Sequence, residues 1–461
     1  MNAFRSSEQA NTLTRRYLLK LVGISLVGAI AGACAPKAEP TAGAAAATEA
    51  PAPTKPAAKV APVKITAGAW AIATYAELQG ESYKRFSEQS EAVDVEWLQM
   101  PWADYWTKMT TLLAAGAAPE ISLYTPETFL DHAARSAIRS LDSLIDRDSY
   151  DLSDFYKVLV DMSMWKGKMG AIPAYHSPIV CFYNKTILSE AGAEFPKETW
   201  TWADLREAAL KATDADKGIW GFGLEREMWA PIIWSNGGEV WNDDFSASRV
   251  DEEVFVNGLQ WWGDLRNVDH VAPSPAEMAD MKTEMLFQTG KLTMVFHPLS
   301  RSIPWVDAKV PFEWDLGWAP KGDQGRSLRL GAGVWGITKD CKPELVDAAW
   351  DAIKWVSGPE EGNIWAGLHI NVPARKSVAE SPAFLDTPPP ESLGIQLEMM
   401  PYARMPYKLP GSSEWWNNIL SNGVILVELG EEKAADQMQE VKKLLDQWLV
   451  DNPMSKWTEL V

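Results

Sequence analysis

Val63-Lys64-Ile65-Thr66-Ala67-Gly68-Ala69-Trp70 alternates apolar and polar side chains, as a β-strand with one buried face does. Apolar residues at helical spacing follow at 75–86, a second alternating run at 93–97, a second helical pattern at 105–113 and a short apolar run at 121–124. This order of strand, helix, strand, helix and strand predicts an α/β fold with parallel strands. In such sheets ligands bind beyond the carboxyl ends of the strands.

The first 33 residues have the organisation of an export signal. Arg15, Arg16 and Lys20 precede an uncharged run up to Ala33, which is too short and too rich in small residues for a membrane span. The paired arginines resemble a twin-arginine signal. Ala31-Gly32-Ala33-Cys34 resembles the cleavage box of lipoproteins, although a larger aliphatic residue is usual in place of Ala31. We therefore expect residues 1–33 to be removed and Cys34 to carry lipid; an ordinary cleaved signal with an incidental cysteine is the alternative.

The segment after Cys34 differs from the rest of the chain in composition. Residues 35–62 are nearly all Ala, Pro, Thr, Lys and Glu, with no aromatic residue and no apolar periodicity. Such a segment buries too little apolar surface to offset the entropy of ordering. We expect residues 34–62 to form a disordered tether between the membrane and a globular body.

Length and charge exclude several classes of protein. The chain has 461 residues, enough for two domains, and a formal net charge of -19, which argues against binding to nucleic acid. Besides Cys34 only Cys181 and Cys341 occur, and the five histidines show no HxH or HExxH spacing. The sequence therefore predicts no disulfide framework, no metal and no cofactor.

Two later helices carry boundary signals. Thr201 precedes a helical pattern and is followed three residues later by Asp204, the spacing of a capping box. Pro343 suits the first turn of another helix, which should end before Gly358-Pro359.

Several segments, in order, resemble the extracellular solute-binding proteins of bacterial ATP-driven sugar importers, the group that includes maltose-binding proteins. The segments are YWTK (105–108), AAGAAPEI (114–121, with Glu120 where Asp is commoner), GKMGAIP (167–173), FYNK (182–185), AG (191–192), WTWADL (200–205), NGG (236–238), FQTGKLTM (287–294), GAG (331–333) and PAR (373–375). No single segment is specific, but the ordered set is, and it covers the body from residue 63 to about 450.

The resemblance implies the two-lobed periplasmic-binding-protein fold of type II, in which each lobe is a mainly parallel sheet flanked by helices. Lobe 1 would comprise 63–172 with about 334–372, and lobe 2 would comprise 173–333 with about 373–461, with hinge strands near 172–176 and 330. It also implies that a mono- or oligosaccharide binds between the lobes, unaltered, and is delivered to the permease subunits of an ABC importer. The body would be a monomer outside the cytoplasmic membrane.

A sugar site needs flat aromatic rings for the apolar faces of the ligand and polar groups for its hydroxyls. The chain has 24 tryptophans, more than core packing alone accounts for. The candidates are those that the pattern puts at strand ends, in mouth loops or at the hinge. They are Trp70, Trp102 (in a loop at 100–104), Tyr124, Glu127, Tyr175, His176, Trp229, Asn236, His297, Trp335, Arg375 and Trp415.

A structural role stays open for each candidate. Glu127 suits the start of a helix, Tyr175 can pack at the hinge, and Asn236 with its two glycines suits a turn. His297 can be a satisfied structural histidine and Arg375 an inter-strand ion pair.

Other functions also stay open. Related proteins bind polyols and glycerol phosphodiesters, so another small polar solute is the main alternative. A secreted glycoside hydrolase is a distant one; it would need two carboxylates at a fixed separation. No GxSxG elbow or glycine-rich phosphate loop occurs.

Overall fold

The computed structural model describes residues 61–461 except 72, 226, 227, 279 and 280. The predicted export signal, Cys34 and the tether up to residue 60 lie outside the described residues. The strands are β1 Val63–Ala71, β2 Val93–Pro101, β3 Ile121–Tyr124, β4 Met164–Trp165, β5 Lys168–Met169, β6 Ala171–Pro178, β7 Val180–Asn184, β8 Trp220–Gly223, β9 Leu292–His297, β10 Trp314–Gly317, β11 Lys321–Gly322, β12 Gly325–Arg326, β13 Leu328–Ile337, β14 Val372–Pro373 and β15 Ala403–Arg404.

Helices surround these strands. The α-helices are α1 Ala73–Ser90, α2 Trp102–Ala115, α3 Pro126–Ala133, α4 Asp142–Asp148, α5 Lys157–Met162, α6 Lys185–Glu190, α7 Trp202–Ala212, α8 Ala230–Ser235, α9 Glu253–Asn267, α10 Thr283–Gln288, α11 Ile303–Ala308, α12 Val346–Val356, α13 Pro359–Ala366, α14 Lys376–Ala379, α15 Pro382–Leu385, α16 Ile395–Glu398, α17 Ser421–Glu428 and α18 Ala434–Asp451. Short 3-10 helices lie at Leu299–Ser302, Pro343–Leu345, Met400–Tyr402 and Met454–Lys456, and a π-helix lies at Ser413–Leu420. Among the described residues, no helix is both long enough and apolar enough to cross a membrane.

The first sheet confirms the strand–helix alternation read from 63–124. Its order is β14-β6-β13-β3-β1-β2, with β15 pairing on β13. The β1–β2 and β1–β3 pairs are parallel, so the carboxyl ends of these three strands lie at one edge. The β13–β3 and β13–β6 pairs are antiparallel, because β13 returns to this sheet from the other one. We call the body around this sheet lobe 1.

The second sheet has the order β10-β7-β9-β8 and forms the centre of lobe 2. Only its β8–β9 pair is parallel, so the expectation of a mainly parallel sheet does not hold here. The chain enters lobe 2 at the hinge, where β7 starts directly after Ile179. Strand β9 ends at the same place, so β7 and β9 run in opposite directions. Val180, the first residue of β7, is therefore opposite His297, the last residue of β9.

The predicted helix boundaries are present. The amide of Thr201 donates to Asp204 Oδ2 at 2.9 Å, and the amide of Asp204 donates to Thr201 Oγ1 at 3.3 Å, which closes the capping box of α7. Pro343 opens a 3-10 turn that leads into α12, and Pro359 opens the next helix.

Two crossings join the sheets; one lies three residues beyond the predicted hinge segment 172–176 and the other is close to residue 330. The first joins β6 to β7 through Ile179, and the second enters β13 at Leu328. The two strands are joined here, because the amide of Ile179 donates to the carbonyl of Arg329 at 3.0 Å. The predicted lobe limits at 172/173 and 333/334 fall inside β6 and β13, which both pair within the first sheet.

Candidate functional site

A polar cluster lies at the carboxyl ends of β8 and β9 in lobe 2. Glu225 follows β8 by two residues, His297 is the last residue of β9, and Thr283 and Glu284 start α10. Glu225 Oε1 accepts a hydrogen bond from the Thr283 hydroxyl and lies 3.9 Å from His297 Nε2, which is 3.3 Å from Thr283 Oγ1. Parallel strands thus bring together residues that are far apart in sequence, at the edge where such sheets bind ligands.

Burial sets the charges of this cluster. It raises the pKa of Glu225 to about 7, opposed by the Thr283 hydrogen bond and assisted by the negative charge of Glu284. Burial also lowers the pKa of His297 to about 4, so the imidazole is neutral at pH 7. The close approach of His297 and Glu225 is therefore not an ion pair at neutral pH. At pH 7 the carboxyl of Glu225 is close to half protonated, so it can accept a hydrogen bond from a sugar hydroxyl or donate one to it.

The same cluster offers donors for a metal ion. One ligand atom from each of Glu225, Glu284 and His297 lies within 4.8 Å of the others. Arg301 already contacts Glu284, with Nη1 2.8 Å from Oε1, and supplies the positive charge that a cation would bring. Sequence spacing missed Glu225 and Glu284 because the three residues come from three different elements.

An aromatic group lies at the carboxyl ends of β1 and β2 in lobe 1. Trp70 is 3% exposed, and its ring lies 5.2 Å from that of Trp102 and 5.0 Å from that of Trp106. Trp102 is not in a loop, as the sequence suggested, because β2 runs on to Pro101 and α2 begins at Trp102. Its side chain is 48% exposed, which makes it the most accessible of the predicted aromatic residues. Trp102 thus has the features of a stacking platform, held from behind by Trp70 and Trp106.

Three other predicted tryptophans are buried in aromatic clusters. Trp335 lies 5.7 Å from Tyr83, ring to ring, and is 1% exposed. Trp229 stacks on Trp416 with ring centroids 5.3 Å apart, while the fully buried Trp415 packs edge-on to Trp241. Contact of these three with a ligand stays a prediction.

Of four further candidates, Tyr124 and Glu127 lie at the end of β3 and in α3, while Tyr175 and His176 lie in β6, which leads to the hinge. Tyr124 is fully buried at the end of β3, and Glu127 is in the first turn of α3, where its charge suits the helix dipole. Burial, assisted by the charge of Glu127, raises the pKa of Tyr175. His176 is fully buried and burial lowers its pKa to about 3, so it is neutral at pH 7.

Arg375 and Asn236 have their polar atoms engaged within the protein. Arg375 donates to the carbonyl of Ser357 at 2.6 Å, to Tyr150 Oη at 2.7 Å and to Asp154 Oδ2 at 3.2 Å. Asn236 donates to the carbonyl of Ile232 at 2.7 Å and accepts from the amide of Asp323 at 2.9 Å, which fastens the β11–β12 turn. Asn236 thus has the turn role left open for it, whereas Arg375 forms its ion pair with Asp154 of a turn and not between two strands. Contact of either residue with a solute stays a prediction.

Comparison with known sequences identifies the family. The sequence model of the bacterial extracellular solute-binding proteins matches residues 81–389. The chain belongs to this family. An erythritol/L-threitol-binding protein of Mycolicibacterium smegmatis is 22% identical over 336 residues, which cover 65% of this chain and 68% of that protein. Family membership implies export from the cytoplasm.

Solved structures of solute-binding proteins share the fold. An ABC substrate-binding protein of Listeria monocytogenes in complex with cycloalternan has a TM-score of 0.75 and 24% identity, covering 84% of this chain and 99% of that chain. UgpB of Mycobacterium tuberculosis in complex with glycerophosphocholine has a TM-score of 0.72 and 17% identity, covering 85% of this chain and 98% of that chain. These similarities confirm the two-lobed fold of type II; the family and these relatives are binding proteins.

Proposed function

We propose that this solute-binding protein captures a neutral carbohydrate between its lobes and delivers it, unaltered, to an ABC import permease. The observations that carry the proposal are one accessible indole in lobe 1 and one partly buried carboxyl group in lobe 2. Trp102 lies at the carboxyl ends of the lobe 1 strands, and Glu225 lies at those of lobe 2. An aromatic face and a hydroxyl acceptor are the two elements that sugar recognition requires.

The acidic character of the lobe 2 cluster favours a neutral ligand. The carboxyl groups of Glu225 and Glu284 both belong to this cluster, and Arg301 is already in contact with Glu284. An anionic phosphodiester would need a positively charged side chain that is not already paired with a carboxylate. A linear polyol meets the same requirements as a sugar, and the relative in Mycolicibacterium smegmatis binds erythritol and L-threitol. A polyol is therefore the second candidate.

The mature protein would be a monomer tethered by lipid on Cys34 to the outer face of the cytoplasmic membrane, after export by the twin-arginine route. The support for this part is the sequence of the first 62 residues, with its paired arginines, its small-residue box and its Ala/Pro-rich tether. Permease subunits are the partner that an extracellular solute-binding family implies.

Thermal-shift screening tests the proposal. We expect maltose, cycloalternan, erythritol, mannitol or a related compound to raise the melting temperature, because a ligand at 100 times its Kd stabilises the folded state by about 2.7 kcal/mol. Glycerophosphocholine, a zwitterion that carries an anionic phosphodiester, serves as the comparison. Trp102→Ala should abolish the shift, whereas Phe195→Ala, which removes another exposed aromatic ring, should not.

Two results would refute the proposal. One is a panel of sugars and polyols of which none shifts the melting temperature. The other is cleavage of any of them, detected by chromatography after prolonged incubation, since that would identify an enzyme.

A further inference from the structure

The last five residues of the chain, 457–461, pack against lobe 1. The amide of Thr458 donates to the carbonyl of Ala134 at 2.8 Å, and the amide of Val461 donates to that of Ile138 at 3.1 Å. In return the amide of Ser140 donates to the carbonyl of Val461 at 2.6 Å. These bonds run in both directions along neighbouring segments, as in a short sheet ladder.

Side chains reinforce the contact. Trp165 Nε1 donates to the carbonyl of Thr458 at 2.7 Å, and Lys166 Nζ donates to that of Trp457 at 2.7 Å. Trp457 and Leu460 are 7% and 6% exposed. A terminus with this many bonds and two buried apolar side chains is docked, whereas chain ends without such contacts fray.

The docking segment of lobe 1 is continuous with its sheet. The amide of Arg139, between two of the docking residues, donates to the carbonyl of Ile337 at 2.9 Å, at the end of β13. Ile138 also forms a bridge with Thr338. Force applied to the tail is therefore transmitted to the first sheet.

The helix that precedes the tail belongs to lobe 2. Helix α18 packs on α9 and α17, and Asp446 Oδ1 accepts a hydrogen bond from the amide of Ser248 at 2.7 Å. The amide of Ala434 donates to Gln260 Oε1 of α9 at 3.0 Å, and Trp262 of α9 packs edge-on to Phe222 of β8. Between Asp451, where α18 ends, and the docked Trp457 the chain thus passes from lobe 2 to lobe 1.

The connecting segment has little spare length. Residues 452–456 join the two anchors, and Met454–Lys456 are coiled in a 3-10 turn. A 3-10 turn rises about 2.0 Å per residue and an extended chain about 3.3 Å, so straightening these three residues releases only about 4 Å. Any larger separation of the anchors requires α18 to fray or the tail to undock.

We propose that the C-terminal tail is a strap, an additional connection between the lobes, whose length limits how far lobe 1 and lobe 2 separate at the hinge. This inference does not depend on the identity of the ligand, because its test uses the ligand-free protein.

Lengthening the strap tests the proposal without removing its contacts. Insertion of six Gly/Ser residues between Pro453 and Met454 adds about 20 Å of reach. We expect the radius of gyration and largest dimension from small-angle scattering to increase, while the amides of Ser140 and Val461 stay protected from hydrogen exchange. The same insertion between Glu431 and Glu432, two exposed residues of the loop before α18, should leave the scattering unchanged.

A shortened chain provides a second measurement. A variant that ends at Lys456 should show the same expansion, provided that its circular dichroism is that of a folded protein. Glu459→Ala removes only an exposed ion pair with Lys168, so its scattering should match that of the parent. If the chain with the insertion scatters like the parent, the strap does not limit opening and the proposal is wrong. That result would leave the proposed ligand binding untouched.

Discussion

Replacing Glu225 by glutamine should make the protein more stable at alkaline pH while weakening its binding of solute. The folded protein holds the proton of Glu225 more tightly than the unfolded chain does, because burial raises the pKa of this carboxyl from 4.5 to about 7. The stability that the protonated carboxyl contributes is therefore complete below pH 4.5 and is lost as the pH rises to about 7. Glutamine keeps the neutral form at every pH.

The size of this loss of stability follows from the interval between the pKa of 4.5 in the unfolded chain and the pKa of about 7 in the folded protein. At about 1.4 kcal/mol for each pH unit, the wild-type protein loses at most about 3 kcal/mol through this group. The side chain is 28% exposed, and solvent screening reduces the figure to about 2 kcal/mol. For roughly 400 ordered residues the unfolding entropy is about 0.8 kcal/mol/K, so the melting temperature of Glu225→Gln should exceed that of the wild type by about 2–4 °C at pH 8.

Calorimetry at pH 5 and pH 8 measures this effect. The difference between variant and wild type should be small at pH 5 and appear at pH 8, and Glu360→Gln, at an exposed position, should show no such dependence. An equal difference at both pH values would refute the reasoning, since it would mean that the carboxyl of Glu225 does not titrate between them.

Two further substitutions probe the hinge and the arginine contacts. A Cβ at Gly333 would lie 2.3 Å from the ring of Tyr175, so Gly333→Ala should lower the free energy of unfolding in urea by about 1–3 kcal/mol. At Gly331 the nearest atom to such a Cβ is 3.5 Å away, so Gly331→Ala should be tolerated. Arg375→Lys should cost about 2–3 kcal/mol by the same measurement, because lysine cannot make the three hydrogen bonds of the guanidinium group. Its control, Lys157→Met, removes an exposed ion pair and should change stability by less than about 0.5 kcal/mol. An equal cost for Gly333→Ala and Gly331→Ala, or for Arg375→Lys and Lys157→Met, would contradict these contacts.

The sequence predicts the strands and helices of lobe 1 well because alternating and helical patterns are local. It also predicts that His297 ends a strand and that Asn236 lies in a turn. It does not predict which tryptophans are accessible, because residue type does not determine which face of an element is covered. Trp335 and Trp102 have equal aromatic surface, yet one is enclosed by Tyr83 and Trp97 and the other is nearly half exposed.

The lobe 2 cluster is beyond sequence reasoning for a different reason. Glu225 and His297 are 72 positions apart, and they meet only because β8 and β9 pair in parallel. Nothing local distinguishes Glu225 from other glutamates of this acidic chain. Its unusual protonation arises from burial, which only the tertiary structure provides.

The two strands at the hinge cross between the lobes side by side, joined by the bond from Ile179 to Arg329. A two-stranded ribbon flexes readily across its flat face but resists bending within its own plane, since in-plane bending must compress one strand and stretch the other. The relative motion of the lobes should therefore be anisotropic, a swing about one axis with little sideways shear. Labels intended to report that swing belong at the rims of the lobes, where the lever arm is longest, and not beside Ile179.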